Sequence, residues 1–285
     1  MLDILIMIAG MVCVILLWVM LYDSNRFVIK NSVFTEERIQ KKYRAVLLAD
    51  LHNKRYGKKN EKLLAAIEEA APDGIFIAGD MITSKAGKKM APALELLEAL
   101  AGKYPIFYVN GNHEQRLELY PEIYKDMASD YEEALKKLGI QRMKNQKQDL
   151  LGGIALYGCE LDKSYYRRFE KKSMPPDYLE GLLGKPDSGK YTVLIVHNPD
   201  YFPEYAKWGA DLVLAGHVHG GLVRIPGGKG VVSPSVRLFP EYDGGLFQRG
   251  KSRMLLSRGL GAHTIPIRLF NPGELHVIDF KPKDR

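Results

Sequence analysis

Five short apolar runs in this chain each stop at side chains able to hold a metal ion. Val46-Leu47-Leu48-Ala49 stops at Asp50-Leu51-His52, and Ile75-Phe76-Ile77-Ala78 stops at Gly79-Asp80. Ile106-Phe107-Tyr108-Val109 runs into Asn110-Gly111-Asn112-His113-Glu114, and Val193-Leu194-Ile195-Val196 into His197. Leu212-Val213-Leu214 leads to Gly216-His217-Val218-His219-Gly220. Carboxylate, carboxamide and imidazole donors in one set suit Mn, Fe or Zn better than Ca, without choosing among the three. Singly each signal is weak: a histidine after an apolar run is more often a packed or surface residue, and Gly-Asp is more often a turn. The glycine-flanked His217-Val218-His219 pair is stronger. Together the runs draw in five of the seven histidines, which turns alone do not explain.

To converge, those residues need an α/β scaffold. Residues i and i+2 of an extended segment point the same way, so Asp50 and His52 can grip one ion. Side chains at the carboxyl ends of neighbouring strands meet at the sheet edge where α/β folds bind ligands. Periodicity predicts strands at 43–49, 74–78, 106–109, 154–157, 192–196, 211–214, 254–257 and 275–280. Helical spacing appears at 60–71, 90–101 and 123–138. Residues 43–285 read as one body, with loops or insertions at 162–190 and 226–248, where Gly, Pro, Tyr and charge accumulate.

As an ordered set, Asp-x-His, Gly-Asp, Gly-Asn-His-Glu, His and Gly-His-x-His resembles the calcineurin-like metallophosphoesterases, over residues 45–280. Ser257-Arg258-Gly259-Leu260-Gly261, Ile265-Pro266-Ile267-Arg268 and the apolar N-terminus resemble that family's bacterial membrane-associated branch. Some members of the branch hydrolyse the pyrophosphate of a UDP-linked diacylglucosamine. The resemblance implies a four-layer α/β/β/α sandwich and two divalent ions (Mn, Fe or Zn). It assigns Asp50, His52 and His219 to one ion, Asn112, His197 and His217 to the other, and Asp80 as the bridge. His113 is implied as the group beside the metals that protonates the leaving oxygen or stabilises transition-state charge. The expected reaction is attack of metal-activated hydroxide on a phosphoester or pyrophosphate. The alternative is a membrane-tethered binding scaffold on the same fold, as in relatives that have lost ligands; here every ligand position is filled.

His263 and His276 match no ligand position. His276 alternates with Leu275 and Val277 and is expected on a strand, facing solvent; His263, in a Gly-rich loop, is open to a substrate role. Ser164-Tyr165-Tyr166-Arg167-Arg168-Phe169 and the loop 237–247 read first as surface, with contact to a phosphate or lipid as the other reading. Lys54, Arg55, Lys58 and Lys59, just past the first motif, either bias the site toward anions or are simply solvated.

Residues 4–22, ILIMIAGMVCVILLWVMLY, carry no charge. A helix of that length crosses about 30 Å, the hydrocarbon thickness of a bilayer. Trp18 and Tyr22 suit the interface. The run is longer than a signal peptide's apolar core, no Lys or Arg precedes it, and no small-residue cleavage site follows. Residues 1–22 are therefore expected as an uncleaved single-pass anchor in the cell membrane, with a juxtamembrane linker at 23–42. Arg26, Lys30, Arg38, Lys41 and Lys42 after the span lean the body toward the cytoplasm. The net charge of +7 suggests an anionic partner. A phosphoester substrate is expected, lipid-linked pyrophosphates being the class the anchor favours, and no nucleic acid. Two cysteines, Cys13 and Cys159, make no disulfide framework.

Overall fold

The computed structural model describes every residue except 88, 168–169, 233–237, 263–266 and 284–285. After β1 (Phe27–Glu36), strand β2 (Tyr43–Leu48) sends Ala45 and Leu47 into one buried cluster and Val46 and Leu48 into another. β3 (Gly74–Ala78) and β4 (Ile106–Val109) divide likewise, Phe76 and Phe107 to one side, Ile75, Ile77 and Tyr108 to the other. Strands apolar on both faces must lie between two layers. With β5 (Gln141–Arg142) and β14 (Gly273–Pro282) they form a six-stranded sheet in the order β1-β14-β2-β3-β4-β5.

A second sheet is built from β6 (Gln146–Leu150), β7 (Ile154–Cys159), β8 (Tyr191–Val196) and β9 (Leu212–Ala215). The short pair β10 (Val223–Arg224) and β11 (Gly230–Val232) stands apart, and β12 (Gly245–Arg249) and β13 (Ser252–Leu256) complete the order β12-β13-β9-β8-β7-β6. The inner faces of the two sheets meet: Leu156, Val193, Ile195, Leu212 and Leu214 pack with Ala45, Leu47, Phe76 and Val109. Burying each large apolar side chain there is worth about 1.5–3 kcal/mol.

Outside the first sheet lie helices α2 (Glu61–Ala70), α3 (Ala91–Ala101), α4 (Asn112–Leu119) and α6 (Met127–Lys137), with the single turn α5 (Pro121–Tyr124) just before α6. Outside the second lie α7 (Tyr178–Leu183) and α8 (Phe202–Trp208). The four-layer α/β/β/α sandwich is as expected. The helix expected over 123–138 is interrupted, because Lys125 at φ 52° leaves the helical region between α5 and α6.

Two expectations need correction. Residues 27–36, read as linker, form β1, which pairs in parallel with β14 from Phe27 opposite Gly273 to Glu36 opposite Pro282. β14 is interior to its sheet, and His276 does not face solvent: it shares the face of Ile278 and Phe280, which the second sheet covers, is 2 % exposed, and its Nε2 lies 3.1 Å from Glu274 Oε2.

The N-terminal run forms helix α1 (Leu2–Ser24), whose most apolar window has a mean hydropathy of 3.0 and is not buried by the rest of the protein. Its foot is fastened to the body. The buried Asp23 carboxylate accepts from the Asn271 N–H (3.0 Å) and from Arg26 Nε (3.0 Å), and Asn25 Oδ1 accepts from Lys54 Nζ (2.7 Å).

Candidate metal centre

The loops leaving β2, β3, β4, β8 and β9 bring the expected residues to one rim. Asp50, His52 and His219 form one group whose donor atoms lie within 4.8 Å of one another; Asp80, His197 and His217 form a second, and His52, Asp80 and His113 a third. Asp80 Oδ2 is 3.1 Å from His197 Nε2, 3.7 Å from His52 Nε2 and 3.9 Å from His113 Nε2. Asp50 Oδ1 is 3.4 Å from His219 Nε2 and 3.9 Å from His197 Nε2. The His52 and His219 Nε2 atoms are 3.1 Å apart. Asn112 opens α4 beside His113, and its Oδ1 is buried with no hydrogen-bond partner among the described residues.

The strand ends hold these side chains in strained backbone. Asp50, His52, Asp80, His217 and His219 all have φ between 47° and 79°, where an L-residue is costly by roughly 1–3 kcal/mol. Hydrogen bonds between loops hold the geometry: Asp50 N donates to Gly79 O (2.9 Å), His52 N to Asp80 O (3.0 Å) and Gly261 N to Asp50 O (2.6 Å). Gly79 and Gly111 sit so close that a Cβ on Gly79 would lie 2.4 Å from Gly111 N. That contact brings the Asp80 and Asn112 loops together.

Glu114 is an organiser to which the sequence pattern alone assigned no role. Its buried carboxylate accepts from the N–H of Asp80 (2.9 Å), Gly111 (2.9 Å) and Ile82 (3.2 Å) and from the Tyr108 hydroxyl (3.0 Å). The bond to Gly111 is the side-chain return of a helix N-cap, so a glutamate three residues after a glycine, just before α4, was the available signal.

The second ring nitrogens of the histidines separate two kinds of imidazole. His197 Nδ1 lies 2.6 Å from Ala78 O and His219 Nδ1 3.3 Å from Gly261 O. A carbonyl only accepts, so each Nδ1 carries a hydrogen, which leaves Nε2 as the nitrogen a metal ion would take in place of a proton. His113 is reversed. The Ser84 N–H donates to its Nδ1 (2.9 Å), with Ser84 Oγ at 2.8 Å, so Nδ1 accepts and Nε2 carries the hydrogen toward Asp80. His113 is thereby set up to donate rather than to ligate.

The charges match the residues' crowding. Burial pushes the Asp50 carboxyl up to about 7, with Asp80 adding repulsion and His197 opposing it. Burial would raise Asp80 too, but His197 and His113 outweigh it and hold its carboxyl well below the usual carboxylate range. Burial would lower His197; Asp80 and Asp50 prevail and raise it to about 9. Two carboxylates, converging imidazole lone pairs and an orphaned carboxamide oxygen fit a pair of divalent cations, with Asp80 common to both ends.

His263 lies outside the described residues, as do the first position of the loop 237–247 and the last two of the 164–169 run. Tyr165 and Tyr166, expected at the surface, face inward: Tyr165 is 4 % exposed, and the Tyr166 hydroxyl is buried.

The profile of the calcineurin-like phosphoesterases matches residues 43–221. The chain is 28 % identical over 261 residues to an uncharacterized metallophosphoesterase of Helicobacter pylori strain J99, covering 90 % of this chain and 65 % of that protein. It is 27 % identical over 223 residues to the uncharacterized metallophosphoesterase YkuE of Bacillus subtilis, covering 77 % and 71 %. A transmembrane protein with metallophosphoesterase domain from Danio rerio is 24 % identical over 249 residues, covering 84 % of this chain and 53 % of that one. The chain thus spans just under two thirds of the Helicobacter relative.

Proposed function

This chain belongs to the calcineurin-like phosphoesterase family, and on that premise we propose that it is a membrane-anchored hydrolase of phosphoester or pyrophosphate bonds. The observation that carries the reading is the sharing of Asp80 among donor groups at both ends of the rim. Asp50, His52 and His219 would hold one divalent ion, Asn112, His197 and His217 the other, and Asp80 both. Two such ions, when bound, supply Lewis acidity and the charge that clamps phosphoryl oxygens.

The chain's own groups do the rest. Histidine lone pairs and only two carboxylates leave the centre electron-poor enough to attract a phosphate. The Ser84 N–H holds His113 with its Nε2 hydrogen toward the site, placed to protonate the leaving oxygen as the bond breaks. Glu114 keeps the Asp80 and Gly111 loops in register.

The anchor supports the membrane part of the proposal: α1 is 23 residues long and uncharged from Ile4 to Tyr22. Asp23 at its foot bonds Asn271, whose Nδ2 donates to the backbone of His219 and Gly221. A centre fastened to the point where the chain leaves a bilayer favours substrates that are themselves lipid-linked, with the body on the cytoplasmic side by the charges after the span.

Full-length protein purified in detergent and loaded with Mn should hydrolyse an aryl phosphate mono- or diester. No turnover, with Asp80→Ala indistinguishable from the parent, would sink the enzymatic reading. Cell fractionation with N-terminal sequencing tests the anchor; soluble protein, or a start near residue 23, would remove it.

A further inference from the structure

We propose that the Tyr166 hydroxyl donates a hydrogen bond to an unesterified phosphoryl oxygen of the substrate at the His197–His217 end of the centre. This rests on the phosphoesterase reading and adds to it a substrate contact that no metal ligand makes.

Tyr166 closes a short turn, Lys163–Tyr166, just after β7. The two adjacent tyrosines part company there. Tyr165 packs into the outer core, its ring 4.9 Å from that of Tyr178 and 5.2 Å from that of Tyr201. Tyr166 turns the other way, its ring 5.4 Å from that of His217, nearly perpendicular, and 6.1 Å from that of His197. Those imidazoles are themselves 5.0 Å apart, so the phenol completes a three-ring wall on one side of the rim.

The hydroxyl at the end of that ring is buried and has no hydrogen-bond partner among the described residues. Buried hydroxyls are almost always paired, since an unpaired one keeps its desolvation penalty. Tyr157, Tyr201 and Tyr205, elsewhere in the same sheet and helix layer, all bond backbone: to Asp187 N, Lys172 O and Asn198 O. Tyr166 is unlike them in setting its ring against the candidate ligands, with no backbone partner for its hydroxyl among the described residues.

Burial raises the phenol well above its usual value, and the Asp80 carboxylate is the strongest charge acting in the same direction. As a neutral phenol it is a hydrogen-bond donor. A tetrahedral oxyanion seated at the centre offers more oxygens than two ions need. A donor beside the His197 and His217 rings can take one that is left, whether from a phosphate ester or from a pyrophosphate.

Orthophosphate is the probe, bound to the full-length, Mn-loaded protein in detergent and followed by calorimetry, with metal content and thermal midpoint measured in parallel. Tyr166→Phe keeps the ring and removes only the donor. It should retain both metals, melt at the parent's temperature or higher without phosphate, and bind phosphate about tenfold more weakly, the scale of one neutral hydrogen bond. Unchanged phosphate affinity overturns the proposal. So does a lowered midpoint, failure to fold or loss of metal, since each would make the hydroxyl structural. A parent that neither binds phosphate nor hydrolyses aryl phosphates would take the phosphoesterase reading down first and this contact with it.

Discussion

At the Asp50–His52–His219 end of the centre, Asn271 and Arg268 bond the loop carbonyls behind the imidazoles, whereas at the His197–His217 end a tyrosine ring stands against them. Behind His219, Asn271 Nδ2 donates to the carbonyls of His219 and Gly221 at 2.7 Å each. The buried Arg268 guanidinium donates to the carbonyls of Arg258 (2.7 Å), Gly259 (3.1 Å) and Asn271 (3.2 Å). Behind His197 and His217 stand the Tyr166 ring, the Ala78 carbonyl at His197 Nδ1 and the Asp50 carboxylate, which accepts from the His217 N–H (3.0 Å). The first end is latched to the fold and to the foot of α1. The second carries an aromatic wall that includes the Tyr166 phenol.

Asp80→Ala should erase the contrast, because its carboxylate serves both ends. Turnover of an aryl phosphate should fall about 10³-fold, the upper range for removing one electrostatic contributor, and metal content should drop at both ends. Retention of two tightly bound ions would show that the ends are independent. His113→Ala should lower kcat by about 10²-fold, as for loss of a general acid, while elemental analysis still finds both metals. Loss of a metal would place His113 among the ligands and contradict its hydrogen-bond pattern.

Asn271→Ala should loosen the latched end alone. It leaves two buried carbonyls without their donor, a cost of about 2 kcal/mol in denaturant unfolding. Metal titration should show one site weakened and the other unchanged; equal weakening would mean the latch serves the whole rim. The smallest effect concerns pH. Burial opposes the Glu274 charge, but the His276 bond and the Arg258 charge prevail and hold the carboxyl below its usual 4.5. A depressed carboxyl stabilises the fold above its unfolded value, and that stability drains away as the carboxyl takes up its proton at more acid pH. Below about pH 4.5, the unperturbed glutamate value, the thermal midpoint should decline less steeply in His276→Asn than in the parent. Parallel curves would refute the coupling.

Strand ends carrying candidate ligands were legible because each unbroken apolar run marks a strand buried on both faces, and the ligand-type residues follow immediately. β1 was not, since Phe27–Glu36 reads FVIKNSVFTE and only Phe34 is fully buried. An edge strand with one buried side chain looks like a solvated linker, and His276 looked exposed because alternation with Leu275 and Val277 does not reveal the second sheet over its own face. α4 was missed because its first turn is the Asn112-His113-Glu114 motif itself, which reads as a loop. The division between His113 and the candidate ligand histidines came only through the family resemblance, because the groups that set it, Ser84 N–H and the carbonyls of Ala78 and Gly261, are backbone. Tyr166 was lost among arginines that suggested a wet surface.

Only Asn25 and Arg26 separate α1 from β1, and the foot of the helix is bonded to the loop that backs His219. With α1 across a bilayer as proposed, this is a mount without slack. The body can swivel about the helix axis and drift with the lipid, but it has no leash on which to search outward. The catalytic rim would ride at one altitude above the headgroups. Selection would then act on the height of the scissile bond as much as on the chemistry around it, and a few flexible residues inserted at that junction would blur the gauge while leaving the rim intact.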